Sequence, residues 1–211
     1  MDKAVRLALA VAAGVALLAG CRRQPAAIAF GPASSAFGDF ECMAPVGWRA
    51  ETAADGDAYR FTAWLGPQDK EQLWGAPRFV VAWYADGRPV REASGETAMY
   101  RSADDYIRQM LATVWRPSAK FLDGPRATAV AGRPGQRMVV RVRKDAFLSL
   151  PGANPGEPMW REDEAVLVPT RRGFYAIVFP SSADARPRYA AAFERFLASL
   201  RFTKESPADG F

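Results

Sequence analysis

The sequence predicts an α+β fold in which an antiparallel β-sheet is covered by amphipathic helices. Short runs of alternating apolar and polar residues, separated by Gly, Pro and Asp, recur along the chain as strands and turns do. Only two stretches, one after Ser102 and one after Pro187, carry helical periodicity. The resulting order is strands, a helix, four strands, a helix, and not the strict strand–helix alternation of a parallel sheet.

The first strand is expected at Asp39-Phe40-Glu41-Cys42-Met43-Ala44, broken by Pro45-Val46-Gly47 and resumed at Trp48 to Glu51. Asp55-Gly56-Asp57 signals a turn. In the next strand Tyr59, Phe61, Ala63 and Leu65 form one apolar face against Arg60, Thr62 and Trp64. Phe79 to Tyr84 is apolar on both faces, which suits a central strand buried from two sides. A long polar connection follows.

Ser102 is placed to cap a helix, with Asp105 three residues on as in a capping box. Ile107, Met110, Leu111 and Val114 then fall on one stripe, and Pro117 ends the run. A hairpin around Ala131 to Gly135 joins Ala127–Val130 to Met138–Val142, whose second strand sends Met138, Val140 and Val142 one way and Arg137, Arg141 and Arg143 the other. Residues 144–160, with three prolines and two glycines, read as a long irregular loop. A second hairpin pairs Glu164–Pro169 with Phe174–Phe179 around Thr170-Arg171-Arg172-Gly173. Pro187 sits where a helix can start, and Tyr189, Phe193, Phe196, Leu197 and Leu200 supply its apolar face. Arg201 to Thr203 adds a short last strand, and Glu205 to Phe211 reads as a loose tail.

The N-terminus has a different character. Lys3 and Arg6 precede an uncharged run from Leu7 to Gly20, the pattern of an export signal. The run is shorter than the ~20 residues a spanning helix needs. It ends in Leu17-Leu18-Ala19-Gly20-Cys21, which resembles a bacterial lipobox. The resemblance implies a signal peptide over residues 1–20, acylation of the Cys21 thiol, cleavage before it and a membrane partner reached through the lipid. Arg22 and Arg23 then sit among acidic headgroups. Arg22 in place of Asp after the lipidated Cys implies, by the proteobacterial sorting rule, a periplasm-facing position at the outer rather than the inner membrane. Residues 21–37, rich in small side chains, read as a lipidated tether. The domain is expected over 38–203 and a flexible tail over 204–211.

Within the domain, Phe40 to Trp48, with its Pro45-Val46-Gly47-Trp48 step, resembles the start of PsbP-like and DcrB-like domains. The placement of the helix at Ser102–Trp115 and of the closing Phe196-Leu197-Ala198-Ser199-Leu200-Arg201-Phe202 is similar too. The resemblance implies an antiparallel sheet sandwiched by helices, and a binding or assembly module without catalysis. It assigns no binding residue to any position of this chain.

Composition narrows the chemistry. The formal charge is +5, mostly through Arg with acids interspersed, and loss of Asp2, Lys3 and Arg6 with the signal lowers it by one. With an export signal present, no nucleic-acid partner is expected. The chain has no histidine, which removes Ser-His-Asp and Cys-His nucleophile systems and His-based metal sites. It also has no GxGxxG or Walker phosphate loop. Cys42, between apolar neighbours, reads as a buried hydrophobe. Asp104-Asp105 suits a helix N-terminus, and Glu162-Asp163-Glu164 is expected to form cross-strand pairs with the arginine side of the neighbouring strand. No metal site and no cofactor is expected.

The arginine stripe Arg137, Arg141 and Arg143 is a candidate surface for an acidic partner, the plainer alternative being a solvated face balanced by acids. Trp74, Met159 and Trp160 fall in loops, where they either anchor an interface or plug the ends of the sandwich. The sequence is thus read as a non-enzymatic, lipid-anchored envelope protein that binds a protein partner through the 144–160 loop, Trp160 and the stripe. Two alternatives stand beside it. One is a carrier of a small ligand or lipid in a cavity between sheet and helix, and the other is a hydrolase using carboxylates alone.

The lipobox reading predicts that Cys21→Ala moves the protein from the membrane fraction to the soluble one and abolishes incorporation of labelled fatty acid. A wild-type chain that takes up no label contradicts it.

Overall fold

A computed structural model of the protein describes residues 27–69, 76–92, 95–115, 119–145 and 158–203. Its frame is a seven-stranded antiparallel sheet made of β3 (Arg49–Asp55), β4 (Tyr59–Leu65), β5 (Arg78–Ala85), β8 (Lys120–Val130), β9 (Arg133–Asp145), β10 (Pro158–Thr170) and β11 (Gly173–Ser182). The strand order is β3-β4-β5-β11-β10-β9-β8. A second sheet joins β1 (Phe30–Ser34), β2 (Phe40–Pro45) and β12 (Arg201–Phe202), with β2 in the middle, and β6 (Arg88–Arg91) pairs with β7 (Thr97–Tyr100). The helices are α1 (Ala103–Met110), continued by a π-helical turn over Leu111–Trp115, and α2 (Arg186–Ser199).

Both faces of the central strands of the large sheet are buried, while β3 and β8 at its edges are largely exposed, and helices alone do not supply the cover. On one face α2 shares the cover with the three-stranded sheet: Phe40 and Cys42 of β2 join Tyr189, Phe193 and Phe196 of α2 over Trp64, Phe79, Ile177 and Phe179. On the other, α1 shares it with the β6–β7 hairpin: Val90 and Tyr100 join Tyr106, Ile107 and Trp115 over Tyr84, Met138, Leu167 and Phe174. The expected α/β/α sandwich is therefore mostly sheet, because each helix is too short to span seven strands. Those strands cover roughly 30 Å at ~4.8 Å spacing.

Several expectations hold, the last strand ending at Phe202 instead of Thr203. β4 runs Tyr59–Leu65, β12 follows α2 directly, and Pro187 lies in the first turn of α2. Ser102 caps α1, its Oγ accepting the Asp105 N–H at 3.2 Å, while Asp105 Oδ2 accepts from Arg101 N–H at 2.9 Å. The carboxylate thus reaches one residue before the cap.

Other expectations need correction. Residues 30–34, read as tether, form β1 in register with β2 (Phe30 opposite Pro45, Ser34 opposite Glu41). Small residues hid the strand, whose only large anchor is Phe30 under the Arg195 guanidinium, 4.7 Å from the ring centroid. The connection after β5 contains the β6–β7 hairpin. β4 is covered on both faces, since Trp64 on its expected polar side is 4% exposed and packs edge-on against Phe40 and Phe196. Both ends of the loop expected at 144–160 are strand, because β9 reaches Asp145 and β10 begins at Pro158, and residues 146–157 lie outside the described residues. Cys21 with the lipobox, Trp74, Pro117 and the tail lie outside the described residues.

Phe79 is the hub of the α2 side, with ring centroids of Phe179, Phe193 and Phe196 at 5.4, 5.3 and 5.4 Å. Phe79→Ala is expected to cost about 3–5 kcal/mol of unfolding free energy in a denaturant titration. Cys42, 6% exposed on β2, has its thiol pushed from an ordinary 9.0 to about 12 by burial. Its neutral form is favoured by folding, so this contribution is intact below pH 9 and is lost as pH rises towards 12. At pH 8 the folded protein is expected to resist iodoacetamide at Cys42, and denaturant to release the reaction, as read by mass spectrometry.

Candidate functional site

The charged side chains singled out from the sequence converge on the β9–β10 pair. β10 alternates, so Glu162 and Glu164 face α2 while Asp163 faces α1. All three acids are buried, at 5%, 1% and 1% exposure. A buried carboxylate is costly unless paired and fully hydrogen-bonded, and each of the three is held by arginine.

Arg141 stands directly opposite Glu162 in the β9–β10 register, its Nη2 at 2.5 Å and Nε at 2.9 Å from Glu162 Oε1. Arg137 forms ion pairs with Glu164 and with Glu194 of α2. Arg186, in the first turn of α2, donates from Nη2 to Glu164 Oε2 at 2.6 Å and lies 3.7 Å from Glu162. On the other face Asp163 accepts from Arg161 Nε at 2.6 Å and from Trp115 Nε1 at 2.9 Å. Hydrogen bonds donated to Glu194 and the nearby charge of Glu164 hold the Arg137 guanidinium further into its charged range, against the opposing effect of burial.

The expected cross-strand pairs are therefore present, and the stripe divides. Arg137 is turned inward to Glu164 and Glu194. Arg141 is bound to Glu162 but keeps 41% of its side chain exposed. Arg143 is exposed and stands directly opposite Trp160, which is 39% exposed. Trp160 belongs to a strand rather than a loop, and its carbonyl accepts the Ala183 N–H at 2.9 Å.

Sequence reasoning missed Arg186 and Trp115. A signal existed for the first. Arg186 and Arg188 occupy the N-terminal turn of α2, where the helix dipole disfavours cations and no acid is present. That placement makes sense with carboxylates supplied from elsewhere, which Glu162 and Glu164 provide for Arg186 and Asp69 provides for Arg188 at 2.6 Å. Trp115 carried no such signal, because its reach to Asp163 depends on the π-helical turn. Among the described residues no cluster of acids or cysteine is arranged to hold a metal ion.

Open pockets among the described residues include three of similar size. One of about 460 Å³ lies between the β8–β9 turn and α2, floored by Val130, Val166 and Leu197 and edged by Arg137, Glu194 and Arg201. A second, of about 470 Å³, separates β1–β2 from the end of α2 and is lined by Cys42, Met43 and Ser199. A third, of about 530 Å³, lies at the far end of the large sheet between the turns after β3, β5 and β10, over Trp83.

No protein-family model matches the chain, and no curated protein matches it. Among solved structures, the solution structure of cyanobacterial PsbP (CyanoP) from Synechocystis sp. PCC 6803 superposes with a TM-score of 0.50 at 13% identity, covering 83% of this chain and 94% of that one. The fold is thus PsbP-like. LpqN, involved in cell envelope biogenesis of Mycobacterium tuberculosis, superposes at 0.44 with 12% identity over 84% of this chain and 92% of its own. A protein of unknown function from Pseudomonas aeruginosa, PA94, superposes at 0.42 with 12% identity over 79% and 92%.

Breaking a buried pair leaves a charge without its partner. Glu164→Gln is expected to lower the unfolding free energy by about 3–5 kcal/mol. Arg143→Ala, on the exposed part of the stripe, is expected to change it by less than about 0.5 kcal/mol in the same denaturant titration.

Proposed function

We propose that the chain is a lipid-anchored protein of the bacterial envelope, held at the outer membrane through Cys21, whose PsbP-like domain is a non-enzymatic module that binds a protein partner. The observation that carries this reading is the inward use of its chemistry: Glu162, Asp163 and Glu164 are all buried and all bonded to arginine. A hydrolase using carboxylates alone would need two of them in a cleft with room for substrate. That supports binding over catalysis. The part of the stripe left facing outward, Arg143 beside Trp160 with half of Arg141, joins an amphipathic aromatic to guanidinium groups, the side chains that most often anchor protein interfaces. Its charge favours an acidic partner.

One specific observation supports a small-ligand carrier as a second reading. The pocket of about 460 Å³ between the β8–β9 turn and α2 has an apolar floor and a charged rim, within the size range of ligand sites. It opens beside a sheet–helix interface that is otherwise filled by Phe79, Phe179, Phe193 and Phe196.

Crosslinking followed by affinity capture of the anchored protein tests the first reading. Trp160→Ala combined with Arg143→Glu is expected to lose the partner that the wild-type chain captures, at unchanged thermal stability. Recovery of the same partners by the double variant contradicts the assignment of the surface.

A further inference from the structure

The chain carries a net positive charge, yet the arginines around β9 and β10 are matched by Glu162, Asp163, Glu164 and Glu194. A local surplus lies at the opposite end of the large sheet. There the pocket of about 530 Å³ is bordered by Arg88, Arg171 and Arg172, with Asp57 and Asp86 on its rim and Trp83 at its floor. Asp57 lies 4.0 Å from Arg60. Asp86 forms no ion pair among the described residues, and its carboxyl is raised by burial. The guanidinium groups of Arg88 and Arg171 form neither an ion pair nor a hydrogen bond with any described residue.

The pocket is built on a rigid base. The Ala85 N–H donates to Ala58 O at 2.9 Å, the Asp86 N–H to Arg172 O at 3.0 Å and the Gly87 N–H to Tyr100 O at 2.7 Å. The Arg91 N–H donates to Asp55 Oδ2 at 2.8 Å. These bonds stitch the turns after β3, β5 and β10 into one platform. Trp83, 1% exposed, directs its Nε1 to Thr170 Oγ1 at 3.5 Å.

Local turn chemistry also departs from the usual choice. Thr170 pairs with Gly173, so Arg171 and Arg172 are the whole of a two-residue hairpin loop, and neither has a positive φ. Such loops favour Asn, Asp or Gly in left-handed backbone, because that geometry matches the strand twist. Two arginines here sacrifice turn preference for two guanidinium groups at the mouth of a pocket. Departures of this kind are expected where function competes with folding.

The geometry points to an anion site: Arg88 and Arg171, with Arg172 beside them, bind the phosphoryl group of a small ligand in the pocket over Trp83. A guanidinium presents paired N–H donors to phosphate oxygens, and a pocket of this volume has room for an organic group beside the phosphate. The site is independent of the Trp160–Arg143 surface. The two lie at opposite ends of β10, roughly 35 Å apart at ~3.3 Å per residue.

Calorimetric titration of the full chain in detergent tests the site, with two probes that separate the sources of a phosphoryl group: inorganic pyrophosphate and monomeric dihexanoyl phosphatidylglycerol. Saturable binding of at least one probe is expected. Arg88→Gln and Arg171→Gln are each expected to weaken it about tenfold or more, as loss of a charge-assisted contact does, while Arg126→Gln on β8 leaves it unchanged. Binding of pyrophosphate alone assigns a soluble phosphate, and tighter binding of the lipid assigns a headgroup. Absence of saturable binding to both probes, or equal binding by wild type and the two variants at unchanged melting temperature, overturns the proposal.

Discussion

Three consecutive acids, Glu162-Asp163-Glu164, lie on a strand covered on both sides, and the architecture around β10 is arranged to give each of them a charged partner. Desolvating a carboxylate costs several kcal/mol even after relaxation, so each layer touching β10 must bring a cation or donor to a fixed place. β9 brings Arg137 and Arg141, α2 brings Arg186, and β10 brings its own Arg161 with Trp115 of the π-helical turn. Apolar packing alone would tolerate small shifts of α2 across the sheet. The charged bonds do not, because a displaced Arg186 leaves Glu164 short of a partner. The aromatic cluster around Phe79 supplies attraction, and the ion network supplies register.

That division of labour bears on function. Glu162, Asp163 and Glu164 are used inside the domain, which supports the proposal of a binding module. Exposed Arg143 with Trp160 stands at one end of the large sheet, and exposed Arg88, Arg171 and Arg172 stand at the other. If both proposals hold, the domain bridges a protein partner at one end and a small anion at the other.

The α+β class, most strands and the closing helix were legible because their signals are local. Tyr59–Leu65 alternates, Ser102 is a capping residue at the right distance from Asp105, and Phe193, Phe196 and Leu197 recur at helical spacing. What escaped was set by tertiary context. β1 is five residues long with one large side chain, Phe30, too little for an alternating pattern, and it exists because β2 offers it an edge. Trp64 sits on the side of β4 marked polar by Arg60 and Thr62, and only the arrival of Phe40 and Phe196 makes that side a core. The stripe was visible as a row of arginines, and strand alternation implied that it meets acids across β9 and β10, while the register that puts Arg141 opposite Glu162 came only with the structure. How deeply Arg137 is engaged depended on Glu194, 57 residues away on α2, which no local pattern reveals.

The ion network is tested most directly by a double-mutant cycle on stability, pairing Arg186→Met with Glu164→Gln. If Arg186 fixes α2 by satisfying a buried carboxylate, the two substitutions are strongly non-additive, with a coupling energy of about 2 kcal/mol or more. Additivity within about 0.5 kcal/mol would mean that the pair is a by-product of apolar packing and that α2 finds its place without it.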